Sequence, residues 1–224
     1  MLLSRRSILA GLAALPAAPA ALAAPPPVDA ALLLAVDASA SIDKGLLDFQ
    51  LRGHAAAFRH KAVEGAIARG GNGIAVMLAQ FAGPETLTTL VPWRVLKDGK
   101  DCESFADTID AAPAVFMGGS TALGSAVVQA VALLDAAPYS TSRRTLDIVS
   151  NGFSNAGIDP RSAKGYAAGA NVTVNGLAIL NEYDWLEDYF AANVIAGRGA
   201  FVRTAGDLDS FANVLLGKLV TEMV

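Results

Sequence analysis

Cysteine is almost missing from this chain. Cys102 stands alone among 224 residues, so no disulfide can form within it. In an oxidising compartment the fold would rest on its core, with Cys102 as a small apolar side chain on a helix. Histidine is nearly as scarce. His54 and His60 lie six apart on one predicted helix, a spacing that does not set them side by side, and they read as structural or solvent-facing residues, not zinc ligands. No histidine follows position 60, so a hydrolase nucleophile would lack its downstream base. Gly119-Ser120-Thr121-Ala122 is not a Gly-x-Ser-x-Gly elbow, and no Gly-Lys-Ser/Thr phosphate loop occurs. Ser41-Ile42-Asp43-Lys44 has the Ser-x-x-Lys spacing, but its lysine opens a predicted helix with Asp43 beside it. A phosphatase of the Asp-x-Asp kind would need an acid where Ser39 stands. These absences point away from an enzyme.

Positive charge is also short. Seventeen Lys and Arg against 21 Asp and Glu leave a net charge of −4, with no basic field for nucleic acid or an anionic membrane. No segment carries the ~20 consecutive apolar residues that span a bilayer, so no membrane insertion of the mature chain is expected. There is no internal repeat.

The first residues read as an address. Arg5 and Arg6 precede the apolar run from Ile8 to Leu15, and Ala21-Leu22-Ala23 is a small-x-small cleavage site. Ser4-Arg5-Arg6-Ser7-Ile8-Leu9 resembles a twin-arginine signal, which would export an already folded protein. Residues 1–23 are therefore read as a signal peptide, 24–30 as a proline-rich linker and 31–224 as one domain, destined for the periplasm or secretion. Removal of two arginines and no acids takes the net charge from −4 to −6.

What the chain does have is apolar substance, 53% of its residues, arranged in alternation. Strands are predicted at 31–36, 74–81, 88–93, 145–149, 172–179 and 200–203. Helices are predicted along the stripe Leu47, Leu51, Ala55, Phe58 and Ala62, and at 101–111, 122–136, 161–168, 185–192 and 208–220. Alternating strands and helices with right-handed crossovers give an α/β fold, a three-layer, doubly wound, mostly parallel central sheet with helices on both faces. Such sheets bind ligands beyond the carboxyl ends of their strands.

Polar residues gather at those ends. "LLLAVDASASID" (32–43) closes an apolar strand with Asp37-x-Ser39-x-Ser41. Alternate residues of an extended segment point the same way, so a carboxylate and two hydroxyls can converge, an oxygen set suited to Mg²⁺ or Mn²⁺. The same letters also suit turns and helix caps. Gly118-Gly119-Ser120-Thr121 opens a later helix, and Ser150-Asn151-Gly152 ends another strand.

Together these three pieces resemble the von Willebrand factor A fold and its metal-ion-dependent adhesion site. "VPW", "GGSTALGSAV", "LLDAAPY", "NGLAI" and "NVIAGRGAFV" extend the likeness to a bacterial family of exported A-type domains of unknown function. The resemblance implies that Ser39 and Ser41 ligate a metal directly. Thr121 would do so directly or through water, and Asp37 would hold ligating waters. It also implies a protein partner whose acidic residue completes the metal's coordination. The family's last element is an aspartate, where this chain has Asn151. An amide oxygen can still ligate, but without charge. The site is thus read as degenerate, holding Mg²⁺ or Mn²⁺ weakly, with a metal-free scaffold of an envelope assembly as the alternative. Met117, Gly118, Gly119 and Phe153 are candidate partner contacts. In "NEYDWLEDYF" (181–190) a short amphipathic helix is expected to dock Trp185 and Tyr189 inward.

Overall fold

The computed structural model describes residues 24–224; the signal peptide and twin-arginine motif read in residues 1–23 lie outside them. Strand β1 (Ala30–Asp37) is buried along its whole length, as a strand covered on both faces must be. Its even-numbered side chains Leu32, Leu34 and Val36 face one core and its odd-numbered Ala31, Leu33 and Ala35 the other. The first core is closed by α1 (Lys44–Phe58), α2 (Lys61–Ile67), α3 (Gly99–Ala111) and α7 (Leu208–Met223). The second lies under α4 (Leu123–Asp135), α5 (Pro160–Gly169) and α6 (Leu186–Asn193).

The remaining strands are β2 (Ile74–Phe81), β3 (Thr88–Leu96), β4 (Arg144–Ser150), β5 (Thr173–Ile179) and β6 (Val202–Ala205). Their order is β3-β2-β1-β4-β5-β6. Every pairing is parallel except β2 with β3. This is the expected three-layer α/β architecture. The alternation fails at β2 and β3 because no helix separates them, so the chain returns antiparallel along the edge. β3 is also longer than expected, running on through Arg94 to Leu96, with Pro92 on the open edge and register shifts against Val76–Ala79.

The long helix expected across Leu47–Ala62 is broken. α1 stops at Phe58, and His60, in extended conformation, caps α2 by accepting from the Ala62 N–H at 3.1 Å. Within the stretch read as a linker, Val28 donates to the Ser140 carbonyl and Ser140 to that of Pro26, each at 3.0 Å. Cys102 is buried on α3.

One part of the core is charged. Lys218 of α7, fully buried, lies 2.5 Å from Asp147 of β4 and 2.6 Å from Glu222. Glu222 also accepts from Asn175 of β5 at 2.8 Å. Burial, reinforced by the Asp147 charge, pushes the Glu222 carboxyl up to about 8. Nearby His54 is also buried; its Nδ1 meets the Gln50 carbonyl at 2.8 Å, and burial pushes its pKa down, so it stays neutral.

The Glu222 shift makes stability depend on pH. From the ordinary carboxyl range up to about 8, the unfolded chain gives up this proton and the folded chain keeps it. Stability therefore falls as pH rises through that window. Glu222→Gln mimics the protonated form and removes this contribution. The wild type should lose on the order of a few kcal/mol relative to Glu222→Gln between pH 5 and pH 8. Urea unfolding of both proteins at the two pH values reads the difference directly, because the other groups are common to both. Parallel pH profiles would mean that Glu222 is ionised throughout.

Candidate metal centre

Three loops meet beyond the carboxyl end of the sheet, after β1, after β4 and ahead of α4. β1 delivers Asp37 at its last position, fully buried. Its Oδ1 accepts from the Ser39 N–H at 2.8 Å and its Oδ2 from the hydroxyl of Ser150, the last residue of β4. Burial pushes the Asp37 carboxyl up; the bonds from Ser150 and Ser39 oppose this, and the charge of Glu182 adds slightly to it.

The loop ahead of α4 is latched to the loop after β1 by its backbone. Met117 and Gly118 donate to the Ala38 carbonyl at 3.3 and 3.2 Å, and Ala40 donates to that of Gly119 at 3.1 Å. Gly118 and Gly119 turn this loop with φ of 67° and 76°, a region that favours glycine. Thr121 is then fixed by Asn155, whose side chain accepts from the Thr121 N–H and whose own N–H donates to the Thr121 carbonyl, both at 2.9 Å.

The result is a ring of neutral oxygens. Thr121 Oγ1 donates to Ser39 Oγ at 2.8 Å, and Ser41 Oγ to Asn151 Oδ1 at 2.8 Å. A Cβ placed on Gly152 would lie 3.5 Å from Thr121 Oγ1 and 4.0 Å from Ser41 Oγ, so both hydroxyls border the small space that this glycine leaves open. Asn151 Nδ2 is buried without an acceptor. In donor type this cradle fits a hard divalent cation: hydroxyl and amide oxygens at the front, one carboxylate a bond behind, and no sulfur or imidazole.

Asp37, Ser39, Ser41, Thr121 and Asn151, far apart in sequence, are thus neighbours. Gly118 and Gly119 border them as backbone. Met117 is half-buried against the core under α1; the apolar side chains that the loop turns outward are Val115 and Phe116, about half exposed. Phe153 stands in a ring cluster, with centroids 5.4 Å from Tyr183 and 5.6 Å from Trp185. The expected inward pair of α6 is corrected. That helix starts at Leu186, so its buried stripe is Leu186 and Phe190, one residue on; Trp185 is 44% exposed and Tyr189 turns its hydroxyl to the Ser154 N–H at 3.1 Å.

Glu182 and Tyr183, from the loop after β5, line the same cleft of about 220 Å³ with Ser41, Thr121, Gly152 and Phe153. Sequence reasoning passed over Glu182 and Asn155. The signal for Glu182 was its place just past the apolar strand that neighbours β4. Asn155 had none, because its role depends on a contact with Thr121.

A family model described as "Protein of unknown function (DUF1194)" matches residues 27–224. No curated protein matches the chain. Among solved structures it is similar to proximal thread matrix protein 1 (PTMP1) from the mussel byssus, with 17% identity and a TM-score of 0.65 over 88% of this chain and 48% of that one. A second structure of that protein, titled as having a zinc occupied MIDAS motif, gives 18% identity and a TM-score of 0.60 over 88% and 48%. The von Willebrand factor type A structure from Catenulispora acidiphila gives 16% and 0.59 over 87% and 43%. The chain spans about half the length of these structures. At such identities the likeness establishes the fold, that of a von Willebrand factor A domain.

Proposed function

The chain belongs to the family described as protein of unknown function (DUF1194), and we propose that it is an exported von Willebrand factor A-type binding domain that recognises a protein partner through a weakly bound divalent cation. The observation that carries this reading is the convergence of the Ser39, Ser41 and Thr121 hydroxyls from separate loops beside Gly152, with the Asp37 carboxylate behind them. Mg²⁺ or Mn²⁺ suits these oxygens. Bound there, the cation supplies an electrophilic bridge to an incoming carboxylate. Ser39, Ser41 and Thr121 would hold it, Asp37 would order its waters, and the partner's acidic residue would complete the coordination. Phe153 and the loop Val115–Gly119 supply the surrounding surface, and binding, not turnover, is the outcome. Among the described residues none of the three hydroxyls bonds a basic side chain, which supports a binding role over nucleophilic catalysis. No helix among the described residues is long and apolar enough to cross a membrane. The twin-arginine-like start supports a periplasmic or secreted location.

A metal-free scaffold is the second reading. It is favoured by the closed pairing of the site oxygens, which satisfies Thr121 with Ser39 and Ser41 with Asn151 without any cation. Capture of partners from an envelope extract separates the two. Binding should fall at least tenfold in EDTA and return with added Mn²⁺, and Ser39→Ala should abolish the metal-dependent part. Capture indifferent to EDTA would leave the scaffold.

A further inference from the structure

The cation site described above is short of charge. Its front oxygens, from Ser39, Ser41, Thr121 and Asn151, are all neutral. Its one carboxylate, Asp37, is buried, with both oxygens already engaged by Ser39 and Ser150. A single negative charge standing one bond behind the donors is a poor match for a dication. Asn151, which stands where a carboxylate would bring charge, also keeps its buried Nδ2 without an acceptor.

One side chain beside the cleft can meet the demand for charge. β5 lies next to β4 in the sheet, so the loop after β5 runs beside the loop that carries Asn151 and Gly152. Glu182 stands in that loop and, among the described residues, is the only acidic one lining the cleft. Among the described residues it has no hydrogen bond or ion pair that would occupy its carboxylate elsewhere. Its position is held by its neighbour. Tyr183 packs 5.4 Å from the Phe153 ring and 5.1 Å from Trp185, which ties residue 182 to the segment that follows Gly152.

We propose that Glu182 supplies the negative charge that Asn151 omits, so that this cleft binds its divalent cation with one carboxylate behind the oxygens and one across from them. Asp37 and Glu182 together balance a charge of two. The charge absent from the β4 loop is restored from the next loop of the sheet. This inference rests on the reading of the cleft as a cation site.

Titration of the purified protein with Mn²⁺, followed by electron paramagnetic resonance of the free ion, tests both. Five proteins are compared: wild type, Glu182→Gln, the double variant Glu182→Gln with Asn151→Asp, and the control variants Asp184→Asn and Glu187→Gln, which remove a like charge from the same segment. Glu182→Gln should weaken Mn²⁺ roughly tenfold or more, while each control stays within about twofold of wild type. Adding Asn151→Asp to Glu182→Gln should recover the loss. The Glu182 side chain is exposed, so melting temperatures in EDTA should be equal across the set, which excludes misfolding as the cause. Equal weakening in Glu182→Gln and the controls would reduce Glu182 to a background charge and overturn the proposal while leaving the cation site intact. No Mn²⁺ binding by wild type at millimolar metal would remove the cation site itself, and the proposal with it.

Discussion

Replacing Asn151 with aspartate should tighten Mn²⁺ binding by roughly 10- to 150-fold and, in the absence of metal, lower the melting temperature. The two effects have one cause. Asn151 is fully buried and its Oδ1 sits 2.8 Å from Ser41 Oγ, at the front of the oxygen ring. A carboxylate there would gain on the order of 4 kcal/mol per unit of cation charge at ~4 Å and an effective dielectric of ~20. Desolvation takes back much of this, and a net gain of about 1.4–3 kcal/mol gives the stated range. Without metal the same carboxylate would be buried near Asp37, whose own carboxyl is already pushed up by burial. Two like charges in one desolvated site repel, so folded apoprotein is disfavoured. Calorimetric titration and melting curves in EDTA and in Mn²⁺ measure both signs at once. A lower melting point with no gain in affinity would show that the oxygens act as loop structure alone.

The largest loss of stability is expected from Lys218→Met. Lys218 and Asp147 have fully buried side chains 2.5 Å apart, and Glu222 completes the group at 2.6 Å. Removing the cation leaves Asp147 without its counter-charge inside the core, at a cost of about 3–5 kcal/mol. The reason is the stranded carboxylate, not the lost contact. Removing all three charges together, as Asp147→Leu, Lys218→Met and Glu222→Leu, should therefore recover most of the loss. Urea midpoints of the single and triple variants decide this. A single variant as stable as wild type would mean that Asp147 takes up a proton at little cost.

The strands were legible from short-range periodicity, and the oxygen cluster from its place at the strand ends together with the resemblance to the A-type family. A fully apolar run ending in Asp-x-Ser-x-Ser specifies a covered strand and the side from which its oxygens project. Contacts that depend on what the chain meets later were not legible. Lys218 and Glu222, four apart on α7, carry no local mark of burial; the packing of α7 against β4 brings Asp147 to them and makes a buried group. The break between α1 and α2 was hidden because Ala62 continues the apolar stripe, while His60 serves as a cap and not as a helical residue. The phase of α6 is one residue on from the expected Trp185–Tyr189 stripe, because the helix starts at Leu186 and Leu186 and Phe190 fill the core. The antiparallel return of β3 follows from the missing crossover helix between β2 and β3.

The two ends of the sheet also bear on how this protein survives at high concentration. An open strand edge offers a row of unpaired amides to any other chain, and long flat edges invite aggregation. Here β3 carries Pro92, which has no amide hydrogen to offer, together with Arg94 and a disturbed register. At the far end β6 is four residues long and includes the exposed Arg203. Neither rim is a good template for a passing strand. Substituting Pro92 by valine would restore the missing donor and flatten that rim, trading solubility for a more regular sheet.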